Sequence, residues 1–130
     1  MAGYAIYDLV LNRELERLSS RMGFAQALNI PDKGALNLNV GKITISLELD
    51  IDRMHLLVSS SQLVNLHDEY LVEKALAYSA YKQKHFKAVT ASYVEPYLIF
   101  TFSFRSEELN AERLENAFLE LVRINEEIFS

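Results

Sequence analysis

The apolar residues of this chain recur with two different periods, and the order of these periods limits the folds that the chain can adopt. Segments with helical spacing and segments in which every second residue is apolar follow in the order helix, three strands, helix, two strands, helix. Consecutive strands with one apolar face form an antiparallel sheet, which flanking helices must cover. The sequence therefore predicts an α+β fold, α-β-β-β-α-β-β-α, with an antiparallel sheet packed by helices.

Length and composition fit one ordinary globular unit. The 130 residues, of which 50% are hydrophobic, suffice for a single domain spanning residues 1–130. Cysteine is absent, which excludes disulfides, thiolate metal sites and cysteine nucleophiles. The N-terminus lacks a basic segment, and charged residues from Asp8 onward interrupt any candidate signal peptide or membrane span. We expect a soluble, cytoplasmic protein.

The first helix is predicted to run from Tyr4 to Met22 and to end at Gly23. Its buried stripe consists of residues spaced three and four apart: Tyr4, Tyr7, Leu11, Leu15, Leu18 and Met22. The opposite face carries Ile6, Leu9 and Val10, and burying each would contribute roughly 1.5 to 3 kcal/mol. Two interpretations remain open: these side chains contact a partner, or another segment of the same chain covers them.

The next segment has the pattern of a three-stranded meander. Alternation predicts strands at 36–40, 43–49 and 54–59, joined by turns at Gly41-Lys42 and at 50–53. One face of this meander is apolar and the other is polar. The apolar face should lie under the helices.

The middle helix, predicted from about Asn65 to about Lys84, is apolar around most of its circumference. One face carries Leu66, Tyr70, Ala77 and Tyr81, and a second carries Leu71, Val72, Ala75 and Tyr78. Such a helix is either deeply buried or has two partners. A sheet on one side and a symmetry-related copy on the other would satisfy both faces, so we predict a homodimer. The candidate interface residues are Leu71, Val72, Ala75 and Tyr78.

Two further strands and a helix complete the chain. Strands are predicted at 86–94 and 98–104, separated by a turn at Glu95-Pro96, and the last helix should have Ser106 or Asn110 as its N-cap. The buried stripe of this helix is predicted to contain Leu114, Phe118, Leu121, Val122, Ile128 and Phe129.

The net charge of −5 is located on the last helix. Residues 107–127 contain seven glutamates and two arginines, while the rest of the chain is balanced. This distribution argues against nucleic acid, which requires a basic patch. Most of these carboxylates fit a solvated face. Glu126 and Glu127, however, lie where the helix dipole disfavours anions, so either this end frays or a basic group meets it.

No pattern of residues indicates catalysis or metal binding. The three histidines, His55, His67 and His85, lack the spacing of a zinc motif, and four glycines are too few for a phosphate-binding loop. Asp50 and Asp52 lie in a turn, but a calcium loop requires more oxygen ligands. The sequence therefore predicts neither catalytic residues nor a cofactor, and favours a protein that binds a partner over its surface.

The whole pattern resembles the class I chaperones of bacterial type III secretion systems, the family that includes the Tir chaperone. The resemblance extends from the first helix, Tyr4 to Met22, through the strands at 43–49 and 98–104 to the final helix at 114–129. It concerns length, element order, the apolar middle helix and the acidic last helix.

This resemblance implies a homodimer without enzymatic activity. Such a protein holds the N-terminal segment of a secreted effector extended and helps to present it to the secretion apparatus. Carried to this sequence, it implies that Ile6, Leu9 and Val10 accept effector side chains and that Leu71, Ala75 and Tyr78 contribute to the dimer. An exposed strand edge is a second potential binding surface, through β-augmentation. Neither nucleic acid nor a membrane is expected as a partner.

Two other classes of function remain. A small enzyme or ligand-binding protein would place its site between sheet and helix, with Tyr70, Tyr78 or His85 as polar groups, and would require an enclosed polar pocket. A regulatory anti-activator on the same scaffold would bind a folded partner instead of an extended segment.

Overall fold

The computed structural model describes residues 2–24, 28–30, 34–50, 55–64, 68–81 and 89–129; within these ranges, the side chains of residues 2–9, 78–81 and 106 are not described. The elements are α1 (Ala2–Met22), β1 (Leu36–Val40), β2 (Ile43–Leu49), β3 (His55–Leu63), α2 (Glu69–Tyr81), β4 (Thr90–Val94), β5 (Tyr97–Arg105), a 3₁₀ turn (Ser106–Glu108) and α3 (Ala111–Ile128). This confirms the predicted α+β fold and the order of its elements.

The five strands form one antiparallel sheet in the order β1-β2-β3-β5-β4. The meander β1-β2-β3 forms through consecutive pairing, and β5 then pairs with β3 and places β4 on its outer side. The long strands β3 and β5 lie at the centre. The short strands β1 and β4 are therefore the two edges.

Alternation along the strands divides the sheet into a core face and an open face. The buried side chains of the three inner strands are Ile43, Ile45, Leu47, Leu56, Val58, Ser60, Leu98, Phe100, Phe102 and Phe104. The open face is rich in hydroxyl groups, of which Ser59 and Thr101 form a cross-strand hydrogen bond at 2.9 Å. One apolar face thus forms the floor of the core, as the alternation predicts.

The helices cover the core face. Helix α3 packs over β2 and β3, α1 packs against α3, and α2 lies beside β4. The buried side chains of α1 include Leu11, Leu15 and Leu18, which confirms the central part of its predicted stripe. In α3 the buried stripe is wider than predicted, because it also includes Ala117, Ile124 and a polar residue, Asn125.

The ends of the helices follow from local hydrogen bonding. Gly23, with φ 71°, ends α1: its amide donates to the Ser20 carbonyl and the Phe24 amide to the Ser19 carbonyl. This is the pattern of a Schellman motif, which favours glycine at the left-handed position. The N-cap of α3 is Asn110, whose Oδ1 accepts from the Arg113 amide at 2.8 Å.

Three predicted boundaries were wrong. Helix α2 begins at Glu69 rather than near Asn65, because Asp68 caps it by accepting from the Leu71 amide at 3.0 Å. Strand β3 continues to Leu63, beyond the predicted end at residue 59, since its three serines pair with β5. Strand β4 begins at Thr90, so the predicted strand at 86–94 is shorter; residues 86–88 lie outside the described residues.

Candidate functional site

Strand β1 presents an unpaired edge. It pairs with β2 on one side, and none of the described residues pairs with its other side. The two-residue turn Gly41-Lys42 closes the hairpin at the pair Val40 and Ile43. In such a hairpin the closing pair is hydrogen-bonded and alternate residues point outward. The amide and carbonyl groups of Asn37 and Asn39 therefore face the outer edge.

The core-side face of β1 is apolar and only partly covered. Leu36 and Leu38 are half-buried against the core, and Val40 is exposed. Helix α3 packs over β2 and β3, so β1 projects past the main cover of the sheet. The three side chains form an apolar shelf directly beneath the unpaired edge.

The asparagine side chains of β1 lie on the open face. Asn37 Oδ1 accepts from Ser46 Oγ at 2.7 Å, and Asn39 Oδ1 accepts from Thr44 Oγ1 at 3.3 Å. Both bonds reach inward to β2. They hold the amide side chains away from the outer edge, which leaves its backbone groups accessible.

An open groove of about 470 Å³ begins where β1 ends. This edge groove is lined by Val40, Gly41, Lys42, Ile43, Gln62, Val122, Asn125, Glu126 and Phe129. It lies between the β1–β2 turn and the C-terminal half of α3. Its walls combine apolar side chains with a few polar groups, which is typical of surfaces that accept a side chain of specific chemistry.

Asn125 is the most deeply placed polar residue of the edge groove, with 3% of its surface exposed. Its Nδ2 donates to Ser60 Oγ at 2.8 Å and to the Leu121 carbonyl at 2.7 Å. Its Oδ1 is buried and has no hydrogen-bond partner among the described residues. Asn125, which lines the groove, therefore has a buried hydrogen-bond acceptor without a donor in the described part of the chain.

A second open groove, of about 580 Å³, lies between α1 and the start of α3. Its lining is mainly charged: Glu14, Glu16, Arg17, Ser20, Arg21, Asn110, Ala111 and Glu112. Arg21 bridges the two helices through a 2.8 Å contact of its Nε with Glu115 Oε2.

Glu14, 3% exposed, is the buried carboxylate of this second groove. Its Oε1 accepts from the Ala111 amide at 3.0 Å, and its Oε2 contacts Arg13 Nε at 3.1 Å and an Arg17 guanidinium nitrogen at 3.0 Å. Burial acts to raise the pKa of Glu14, but the amide and the two guanidiniums outweigh it and hold that pKa below its ordinary value. These bonds join α1 to the N-terminus of α3, so the carboxylate has a structural role.

The predicted effector-binding residues lie on α1. The backbones of Ile6 and Leu9 are helical, while their side chains lie outside the described part. Val10 is half-buried and packs against the core. The proposed role of this face in binding stays a prediction.

The predicted dimer residues lie on α2 and point mainly into the core of their own chain. Ala75 is fully buried, Leu71 and Val72 are half-buried against the core, and the side chain of Tyr78 lies outside the described part. Among the described side chains of α2, the large apolar ones that are exposed are Tyr70 and Leu76. A homodimer stays a prediction, and a second copy approaching α2 would meet these two side chains first.

The open face carries an apolar row at one end. Leu63 and Tyr97 are register partners, as are Tyr97 and Val94, so the three side chains lie side by side across β3, β5 and β4. Their exposed fractions are 63%, 46% and 61%. This row is the most exposed apolar feature of the described sheet.

Residues with potential metal or catalytic chemistry are dispersed. Among the described residues, no group of three or more His, Cys, Asp or Glu is arranged to hold a metal ion. His55 is half-buried on β3, whereas His67, His85 and Asp52 lie outside the described part. The described helices include none that is long and apolar enough to cross a membrane.

The sequence did not predict the edge groove, because no motif or periodicity distinguishes the residues that line it. Gln62 lies in a polar stretch that was expected to follow the strand, and Asn125 interrupts an otherwise apolar helix face. One available signal was the position of Asn125, three residues before Ile128 and four after Leu121, within the predicted buried stripe. A polar residue at such a position must have a hydrogen-bonding partner or a ligand.

Comparison with known proteins relates the fold to secretion chaperones. No protein-family description matches the sequence, and no curated protein matches it. A chain of the HopA1–SchA chaperone–effector complex matches with 19% identity and a TM-score of 0.67, covering 91% of each chain. A chain of the ExsC–ExsE complex also matches with 19% identity and a TM-score of 0.67, covering 86% of this chain and 85% of the other.

A third structure is that of the Yersinia pestis type III secretion chaperone SycH in complex with a fragment of YscM2. It matches with 11% identity and a TM-score of 0.64, covering 87% of this chain and 94% of the other. The same fold also matches YbjN from E. coli, a proposed transcription regulator, with 12% identity, a TM-score of 0.52 and coverage of 88% and 84%. The chain thus has a fold that occurs in type III secretion chaperone structures and in a protein of another description.

Proposed function

We propose that this protein is a cytoplasmic secretion chaperone that binds an extended segment of a secreted effector along the outer edge of β1. The observation that carries this proposal is the unpaired edge above an apolar shelf. The outward backbone groups of Asn37 and Asn39 provide hydrogen bonds, while Leu36, Leu38 and Val40 accept alternate side chains. In this function the protein is not an enzyme and acts as a homodimer.

The physical requirements of an extended ligand match this surface. An unfolded segment loses conformational entropy when it binds, and many distributed contacts must offset that cost. A strand added to a sheet edge gains backbone hydrogen bonds that do not depend on sequence, and side-chain pockets then provide selectivity. The edge of β1 supplies the first kind of contact and the shelf supplies the second.

The structural matches support a chaperone role. Two of the matched structures are described as complexes of a chaperone, one with an effector and one with a fragment of YscM2. We further propose that the bound segment is the N-terminal part of the effector and that Ile6, Leu9 and Val10 of α1 extend the contact surface.

The β1 edge can be tested with a proline substitution that removes one outward amide. Asn39→Pro should lower capture of the effector by about tenfold, because an edge strand tolerates proline while the added strand loses a hydrogen bond and meets the ring. Asn39→Ala, which keeps the amide, should retain capture. The measurement is capture of the co-expressed effector, and of its N-terminal fragment alone, by each tagged variant.

Hydrogen exchange provides the local control. Amides of β1 and β2 that pair with each other should stay protected in Asn39→Pro, and the outward amides at 37 and 39 of the wild type should gain protection when the effector binds. Equal capture by the proline and alanine variants, without new protection at 37 and 39, would exclude the edge of β1 as the binding site.

A regulator that binds a folded partner is the second candidate, and the apolar row Leu63, Tyr97 and Val94 favours it. A flat exposed row suits the surface of a folded protein better than it suits a single strand. The match to YbjN is consistent with this role. In the exchange experiment, this function predicts new protection around the row instead of at β1, and failure of the N-terminal fragment to bind.

A further inference from the structure

The unpartnered oxygen of Asn125 identifies a potential ligand contact within the edge groove. The orientation of its amide is fixed, because the Leu121 carbonyl can only accept and must therefore face Nδ2. Ser60 Oγ takes the second hydrogen of Nδ2. The buried Oδ1 is left as an acceptor without a donor in the described part, which is unfavourable until a donor arrives.

The electrostatic surroundings favour a cationic donor. Glu126 also lines the groove and makes no ion pair within the described residues. The groove lies at the C-terminal end of α3, where the helix dipole is negative, and the last turn contains no basic residue. Arg123 is engaged with Glu120 and Glu127, and Lys74 donates to the Glu127 carbonyl. The exposed Lys42 is the one basic group in the described lining, and it opposes a cation.

The shape of the groove adds a requirement for an aliphatic stem. Val40, Val122 and Phe129 form the apolar part of the lining, next to Asn125 and the exposed Glu126. Lysine and arginine combine an apolar stem with a charged head. Because Val40 is the last residue of β1, a segment paired along that strand leads directly into the groove.

We infer that the edge groove is a subsite for a basic side chain of the bound segment, with arginine preferred over lysine. This inference rests on the proposed function. A guanidinium is a planar fork with five donors, so it can reach Asn125 Oδ1 and the Glu126 carboxylate together, whereas an ammonium is a compact point charge. The subsite selects segments in which a basic residue directly adjoins the residues that pair with β1.

The test uses the full chain and small probes. Nα-acetyl-arginine methylamide is titrated into the labelled protein, and the NMR signals of the Asn125 side-chain amide are followed. Nα-acetyl-lysine methylamide and the neutral isostere Nα-acetyl-citrulline methylamide serve as comparisons. Arginine should shift these signals with the lowest Kd, lysine should bind more weakly, and citrulline should bind about threefold or more weakly than arginine.

Three substitutions and one control substitution locate the contact. Glu126→Gln should raise the arginine Kd about threefold, and Lys42→Gln should lower it about twofold. Glu48→Gln, which removes the same charge from the opposite face of the sheet, should have no effect. Asn125→Leu should raise the arginine Kd about tenfold; if this variant does not fold, the two charge variants decide the question.

Equal binding of arginine and citrulline, equal effects of Glu126→Gln and Glu48→Gln, or the absence of any shift at Asn125 would each overturn the subsite. None of these results affects capture of the effector at the β1 edge. Conversely, if the edge substitution leaves capture unchanged while arginine binds the groove, the proposed function fails and the cation site stands alone.

Discussion

Glu14 shows how one buried charge can be stabilising when both carboxylate oxygens have partners. A buried carboxylate is costly, but an amide and two guanidiniums surround this one. It also places negative charge at the N-terminus of α3, which the helix dipole favours. The residue therefore orients α1 relative to α3, the helix that packs over β2 and β3.

Replacing Glu14 with glutamine should destabilise the protein in a manner that depends on pH. Glutamine fills the same volume but loses the attraction of Arg13 and Arg17, so we expect the free energy of unfolding near neutral pH to fall by about 1 to 2 kcal/mol. Because the pKa of Glu14 is lowered in the folded state, this contribution is present above the ordinary carboxyl pKa of about 4.3 and is lost as the pH falls through the lower folded pKa.

Urea denaturation at a series of pH values measures this dependence. The difference between the wild type and Glu14→Gln should be largest near neutral pH and should disappear in acid. Glu16→Gln, at an exposed position two residues further along α1, is the matched control and should be nearly neutral throughout. A difference for Glu14→Gln that stayed constant down to strongly acid pH would show that its charge does not contribute.

At the scale of the element, the stability of α3 depends on its N-cap, Asn110, because the N-terminus of this helix packs against α1. Asn110→Ala should lower the free energy of unfolding by about 1 kcal/mol, since the Arg113 amide loses its acceptor. Asn110→Asp should keep most of the stability, and Asn116→Ala, an exposed change in the middle of the same helix, should cost little. Thermal or urea unfolding distinguishes these outcomes, and equal losses in the alanine variants at 110 and 116 would contradict the role of the cap.

The sequence could predict the elements wherever periodicity is strong. The alternation of Phe100, Phe102 and Phe104 with Thr101 and Ser103 predicts β5 and its buried face, because period two has one structural interpretation there. The end of β3 was missed, since a run of serines has no apolar alternation. Pairing with β5 on one side and β2 on the other overrides this weak local preference.

The candidate site could be predicted only in part, because periodicity indicates strands and their faces but not which strands pair. An exposed strand edge was expected in general, but sequence periodicity does not contain the strand order, so nothing indicated that β1 would be an edge. The same limit of sequence periodicity applies to the packing of helix α2. Its apolar circumference predicted two contacting faces, but only the packing of Ala75 against the core shows which face is used within the chain.

At the scale of the whole molecule, the exposed apolar side chains of α2 favour the formation of a dimer. Tyr70 is 76% exposed and Leu76 is also exposed, although the opposite side of the same helix is buried. A helix with apolar groups on both sides is expected to have a second partner. A two-fold dimer through α2 would cover these groups while leaving β1, at the far edge of the sheet, accessible to an effector.

The homodimer can therefore be tested with substitutions at the exposed residues of α2, which do not disturb the core as a change at Ala75 would. The wild type should be a dimer at micromolar concentration, as measured by light scattering or sedimentation equilibrium. The double variant Tyr70→Lys, Leu76→Lys should raise the dimer Kd about tenfold or more, because charges would replace apolar contacts. Leu119→Lys, at an exposed apolar position on α3, is the matched control and should leave the dimer intact. A monomeric wild type, or equal weakening by the control, would mean that α2 is not the dimer interface, and the exposed side of α2 would then require a different partner.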